Sequence, residues 1–94
     1  MILTGEFDSS TNLAVLNWTA YAGPNLANYT VRWTQGVPHD DDNDVLVATL
    51  PPTNTSLETQ DGVFTPGSIA SFKVFVVLTS GGEAGSNPVT IQHP

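Results

Sequence analysis

The sequence predicts an all-β fold, a single domain over residues 1–94 in which seven strands form two antiparallel sheets packed face to face. Three observations predict it. Apolar residues alternate with polar ones at period two, and no segment sustains the 3.6-residue period of an amphipathic helix. Clusters of Gly, Pro, Asn and Asp interrupt the alternation about every ten residues, the spacing of a sandwich of short strands. The 94 residues suffice for one core, and a 39% hydrophobic content with two Trp, two Tyr and four Phe supplies it.

The strands follow in order. "ILTGEF" is the first. "LAVLNWT" alternates, and its polar members Asn17 and Thr19 belong outside, so Leu16 and Trp18 point inward. "GPN" marks a turn. "NYTVRWT" then directs Tyr29, Val31 and Trp33 inward and Thr30, Arg32 and Thr34 outward. After the acidic stretch "VPHDDDNDV" come "VLVATL", the break "PP", and the short strand "NTSLET" with Leu57 as its core residue. "TPGS" is a turn before the long strand "ASFKVFVVLTS". "GGEAGSN" reads as a loop and "PVTIQ" as the last strand.

In this order and spacing the chain resembles a fibronectin type III domain, an immunoglobulin-like sandwich, over about residues 2–92. Trp18 stands where that family has a Trp on its second strand. Tyr29, Val31 and Trp33 match a Tyr-x-Val-x-aromatic run on the third. Phe64, Pro66 and Gly67 approximate the leucine-x-Pro-Gly turn before the sixth, and Ser86, Pro88 and Val89 match a closing Ser-x-Pro-Val. The family's corner tyrosine, whose hydroxyl ties the turn to the backbone, is replaced here by Ala70. Phe72 can supply the packing of that ring but not its hydrogen bond.

Charge excludes several partners. The net charge is −7, with Arg32 and Lys73 the only Lys or Arg. Nucleic acid is excluded, because phosphate binding by counterion release needs several cations, and so are anionic membranes. The longest apolar run, "VFVVL", is too short to span a bilayer, and "MILTGEFDSS" has neither the basic nor the long apolar part of a signal peptide. With no cysteine, no disulfide supports a domain of this size.

The polar residues predict no enzyme. His39 and His93 are the only histidines; the first adjoins Asp40 on a loop and the second lies beyond the last strand, where fraying is expected. Glu6, Glu58 and Glu83 fall on separate elements, so no carboxylate pair faces across a groove. The acidic stretch holds four of the nine acidic residues. Asp40, Asp42 and Asp44 begin like a calcium-binding EF-hand loop, but Val45 and Pro51 stand where that loop needs Gly and Glu. The expectation is a solvated, self-repelling loop without metal or cofactor, which can steer basic partners. Calcium on Asp40, Asp42 and Asp44 is the alternative, and a transition metal helped by His39 a further one. The sequons at Asn17, Asn28 and Asn54 are expected to be incidental in a chain that is about one-fifth Ser and Thr. No Arg-Gly-Asp tripeptide is present.

One strand carries a surplus. If Phe72, Val74, Val76 and Leu78 face inward, Phe75 and Val77 are left outside beside Arg32. Either long neighbouring side chains or the chain ends cover this strip, or its apolar residues are scattered exposed ones, or it marks a protein-binding surface; on the last reading Phe75, Val77 and Arg32 are the candidate contacts for another protein chain, a viral structural protein or further copies of this one. The expected role is a non-catalytic structural or binding module. Two settings compete: a complete small protein decorating an assembly such as a bacteriophage virion, or a spacer or carbohydrate-associated module of a secreted multidomain enzyme or adhesin. The fold alone does not choose between them.

Overall fold

The computed structural model describes residues 1–94 and contains strands only. They are β1 (Leu3–Asp8), β2 (Leu13–Trp18), β3 (Leu26–Gln35), β4 (Val45–Leu50), β5 (Ser56–Thr59), β6 (Ile69–Leu78), β7 (Glu83–Gly85) and β8 (Val89–Gln92). The smaller sheet has the order β1-β2-β5. In the larger, β4, β3 and β6 are neighbours, and β7 and β8 both pair with the far side of β6. All pairings are antiparallel. The seventh strand predicted by the alternation, "PVTIQ", is β8; an eighth, the short β7, lies within the stretch expected to be a loop and is separated from β8 by a break.

Ser86, Asn87 and Pro88 make the break, and the side chains there replace the missing ladder. Ser86 Oγ accepts from the Val74 amide at 3.1 Å. Asn87 reaches across to the other sheet: its Oδ1 accepts from Leu3 N–H and its Nδ2 donates to Leu3 C=O, both at 2.9 Å. The amide so completes the backbone bonding of β1 and closes one side of the sandwich.

The core follows from strand phase. Leu3, Ala14, Leu16 and Trp18 from the smaller sheet meet Tyr29, Val31, Ala70, Phe72, Val74, Val76 and Ile91 from the larger, all buried. Trp18 packs edge-on against Tyr29, with ring centroids 5.6 Å apart and an interplanar angle of 66°. Tyr29 buries its ring and accepts the Tyr21 amide proton on its hydroxyl at 2.9 Å, so the polar end is satisfied too. Leu57 is half-buried against this cluster rather than within it.

Three expectations are corrected at the end of the sandwich that holds the β5–β6 loop. Trp33 has the inward phase but sits beyond the core and is only half-buried. Val63, not Phe64, fills the position of the family's leucine: Val63 is fully buried and Phe64 is 75% exposed. His93 is held, not frayed. Its amide donates to Ser68 C=O at 2.9 Å, its carbonyl accepts from Gly67 N–H at 2.8 Å, and its ring lies on Phe7 at 4.4 Å. With Ser68 Oγ donating to Thr65 C=O at 2.6 Å, these bonds secure the corner that lacks its tyrosine. Ala70 leaves room there for Gly62: a Cβ on Gly62 would lie 2.6 Å from that of Ala70 and 2.9 Å from the Trp33 ring, and its φ of +76° suits glycine.

Two outcomes test this core. Trp18→Ala should cost roughly 3–5 kcal/mol, most of what a small disulfide-free domain has; a thermal melt within a few degrees of the parent would refute the anchoring role. Asn87→Ala strands both backbone groups of Leu3 and should cost about 1–3 kcal/mol, read as a lower denaturation midpoint with an unchanged slope.

Candidate functional site

The acidic segment between β3 and β4 does not extend into solvent. It folds back over the outer face of β3 and β6, which explains why Thr34, outward in phase, is nonetheless buried. Thr34 Oγ1 accepts from the Asp40 amide at 3.2 Å. His39, nearly all of whose side chain is buried, fixes the segment to β6 by donating from Nδ1 to Ser71 C=O at 2.9 Å; a carbonyl only accepts, so that nitrogen carries a proton. Ser71 Oγ in turn donates to Gly36 C=O at 2.6 Å.

A charged network spreads from His39. Its Nε2 lies 3.1 Å from Asp44 Oδ2 and 3.5 Å from Asp41 Oδ1. Arg32 Nε donates to Asp44 Oδ1 at 2.6 Å, and Lys73 Nζ to Asp41 Oδ2 at 2.9 Å. The chain's two fixed cations therefore neutralise the two carboxylates nearest the sheet. Asp44 is buried and Arg32 about one-third exposed, so the pair is a partly desolvated one.

Of the three acids the spacing singled out, only Asp44 is among those brought together. Asp40–Asn43 form a turn, closed by Asn43 N–H donating to Asp40 C=O at 3.3 Å, and a turn does not keep period two. Asp40 accepts from Asn43 Nδ2 at 2.8 Å and from Asp42 N–H at 3.0 Å. Asp42 is exposed, and Asp44 is engaged by Arg32 and His39. The residues with convergent donor atoms are His39, Asp41 and Asp44, within 4.8 Å of one another. These three could hold a divalent ion, in competition with Arg32 and Lys73 for the carboxylates.

Phe75 and Val77 have the predicted outward phase, but both are half-buried. Phe75 stands between Thr30 of β3 and Gly85 of β7. Lys73 lies over its ring, with Nζ 5.2 Å from the centroid. A Cβ on Gly85 would come within 2.7 Å of Lys73 Cε and 3.0 Å of Phe75, so both side chains use the space that the glycine leaves. Arg32, Asp41, Asp44, Phe75 and Glu83 line a shallow depression of about 410 Å³ at this place. Leu46, 48% exposed on the edge strand β4 and paired with Arg32, lies beside it.

Sequence reasoning missed a second and larger feature. At the sandwich end that holds the β5–β6 loop, a cleft of about 560 Å³ opens between Trp33, Phe64, Gln35, Gln60, Asp61 and Thr65. Val63 anchors the loop in the core and so turns its neighbour Phe64 outward. The signal in the sequence was the adjacent pair Val63-Phe64, of which a single core position can take only one.

Asp44→Asn should destabilise the domain by about 2 kcal/mol, since it leaves Arg32 and His39 with a weakened partner, whereas a chelator should not move the melting temperature; a drop restored by zinc or calcium would make His39, Asp41 and Asp44 ligands. Hydrogen bonds hold two carboxyls below their ordinary value of 3.8: Asn43, then the Asp42 amide, act on Asp40, and the Ser10 hydroxyl, then its amide, act on Asp8. Depressed folded values stabilise the protein above the unfolded pKa and lose that effect as pH falls through the folded one. Melting temperature should thus decline from about pH 4 downward, and Asp40→Asn should make that decline shallower.

No family model matches the sequence, and no curated protein matches it significantly. Solved structures do. The chain superposes on pectate lyase PelI of Erwinia chrysanthemi, in complex with tetragalacturonic acid, with a TM-score of 0.78 and 21% identity over 95% of this chain and 27% of that one. Pectate lyase Pel3 of Pectobacterium carotovorum gives a TM-score of 0.74 and 14% identity, over 96% of this chain and 26% of that one. The chain thus spans about a quarter of the length of these lyases. A Fn3-like protein of Clostridium thermocellum matches at nearly its full length: TM-score 0.72 and 26% identity, over 98% of this chain and 88% of that one. The fold is accordingly an immunoglobulin-type, fibronectin type III-like β-sandwich.

Proposed function

We propose that the chain serves as a non-catalytic accessory module of a larger protein that acts on carbohydrate. One observation carries this reading: a sandwich of the same fold forms about a quarter of each of the two pectate lyases. The polar side chains of the present domain favour a binding or spacer role. His39, Asp41 and Asp44 are engaged with Arg32, Lys73 and the Ser71 carbonyl, and such pairing serves to pin the acidic segment to the sheet. Of the two settings, this is the multidomain one.

The surface for a neighbouring protein domain is the outer face of the larger sheet. Phe75, Val77 and Arg32 form it, and the exposed side chain of Leu46 widens it. In a multidomain chain its occupant is the adjoining domain.

Two measurements test these readings. The reading frame that encodes the chain should also encode a carbohydrate-active domain, or lie beside a gene for one, and the chain alone should release no product from pectate or neutral polysaccharides. Virion structural genes on both sides, or turnover by the isolated chain, would overturn the proposal. Phe75→Ser should weaken docking of the adjoining domain at least about tenfold, while costing the isolated module only about 1–2 kcal/mol because the ring is partly exposed and outside the core. Undiminished docking with a large loss of stability would assign Phe75 to internal packing alone.

A further inference from the structure

We propose that the cleft between Trp33 and Phe64 is a binding subsite for a neutral saccharide, an inference that rests on the accessory-module reading and names the ligand of that module. The cleft is separate from the charged network, lying at the end of the sandwich formed by the last residues of β3 and the loop between β5 and β6. Its volume of about 560 Å³ falls within the roughly 300–1,000 Å³ range of small-ligand clefts.

Its chemistry is that of sugar recognition. A pyranose offers an apolar face of C–H groups and a rim of hydroxyls that both donate and accept. Aromatic faces, negative at their centres, suit the first. Phe64 leaves 75% of itself in water, and Trp33, half-buried, lines the same cleft. Amide and hydroxyl side chains suit the second, because each can donate as well as accept. Gln35, Gln60 and Thr65 provide them, and Asp61 adds a strong acceptor.

The aromatic groups are also held in place. Gly62 packs its backbone on the Trp33 ring so closely that no larger residue fits. Val63 is wholly buried, and the turn before it is closed by Val63 N–H donating to Gln60 C=O at 3.1 Å. Asp61 N–H donates to Thr59 Oγ1 at 3.1 Å. On the other side of Phe64, Ser68 N–H donates to Thr65 C=O at 3.0 Å, so the loop is fastened on both sides of the ring it presents, which lowers the ordering cost of binding.

Charge selects among saccharides. No Lys or Arg lines the cleft, Asp61 does, and the chain carries a net charge of −7. A uronic acid would bring its carboxylate to an acidic wall with no cation to meet it. The subsite therefore takes neutral sugars, unlike the tetragalacturonic acid found with PelI.

The test is a titration of the 94-residue chain with cellohexaose, xylohexaose and mannohexaose, and with tetragalacturonate as the acidic counterpart. Tryptophan fluorescence reports on Trp33, and affinity electrophoresis in neutral polysaccharide gives a second readout. At least one neutral oligosaccharide should bind, tetragalacturonate should not, and Phe64→Ala should weaken binding about tenfold, the size of one lost ring contact. Phe64 is exposed, so the variant should melt with the parent, and Phe75→Ser on the opposite feature should bind normally. Neutral-sugar binding insensitive to Phe64→Ala, or a preference for tetragalacturonate, would overturn this subsite. So would the absence of any binding. All three leave the accessory-module reading standing, because that reading is tested by gene context and lack of turnover.

Discussion

The structure depends on one contact between sheets, the edge of Trp18 on β2 against the ring of Tyr29 on β3. No disulfide joins the two sheets, since the chain has no cysteine, so apolar burial is the main force between them. Trp18 and Tyr29 are the largest side chains at that junction, and strand alternation places Leu16 and Val31 beside them in the buried set. Once the pair is set, every second residue of β2, β3 and β6 has a side. A one-residue slip of β2 or β3 would put Asn17 or Thr30 into the core, and a slip of β6 would put Lys73 there.

The margins of the sandwich rely on local polar bonding instead. Ser86–Pro88 interrupts the pairing with β6 between β7 and β8, and there Asn87 binds Leu3 of the opposite sheet through both ends of its amide. At the corner without a tyrosine, the backbone of His93 and the hydroxyl of Ser68 take over. A small domain has little burial in reserve, so satisfied backbone groups at its edges matter more than they would in a larger one.

The two surface features differ in kind. The charged network of Arg32, His39, Asp41, Asp44 and Lys73 is closed on itself: each charge has a partner, and the result is a segment fastened to the sheet. The cleft is open. Phe64 faces solvent beside the half-buried Trp33, and the cleft's polar side chains keep hydrogen-bonding capacity for a ligand.

By itself, the sequence determined the two-sheet architecture, every strand but the short β7, and the inward phase of Trp18, Tyr29, Val74 and Val76. Period-two alternation is local, and each strand displays it without reference to the others. It also placed Phe75 and Val77 outside. Only the tertiary structure decided which acids meet. Asp40 and Asp42 shared the spacing of ligands with Asp44, yet a turn sends them apart, while the partners of His39 lie on β6 and at Asp41 and Asp44. Tertiary packing likewise decided between Val63 and Phe64, and it brought Trp33 to the cleft rather than the core. These outcomes depend on contacts between residues far apart in the chain, where a loop folds back until its polar groups find partners, and no local periodicity records them.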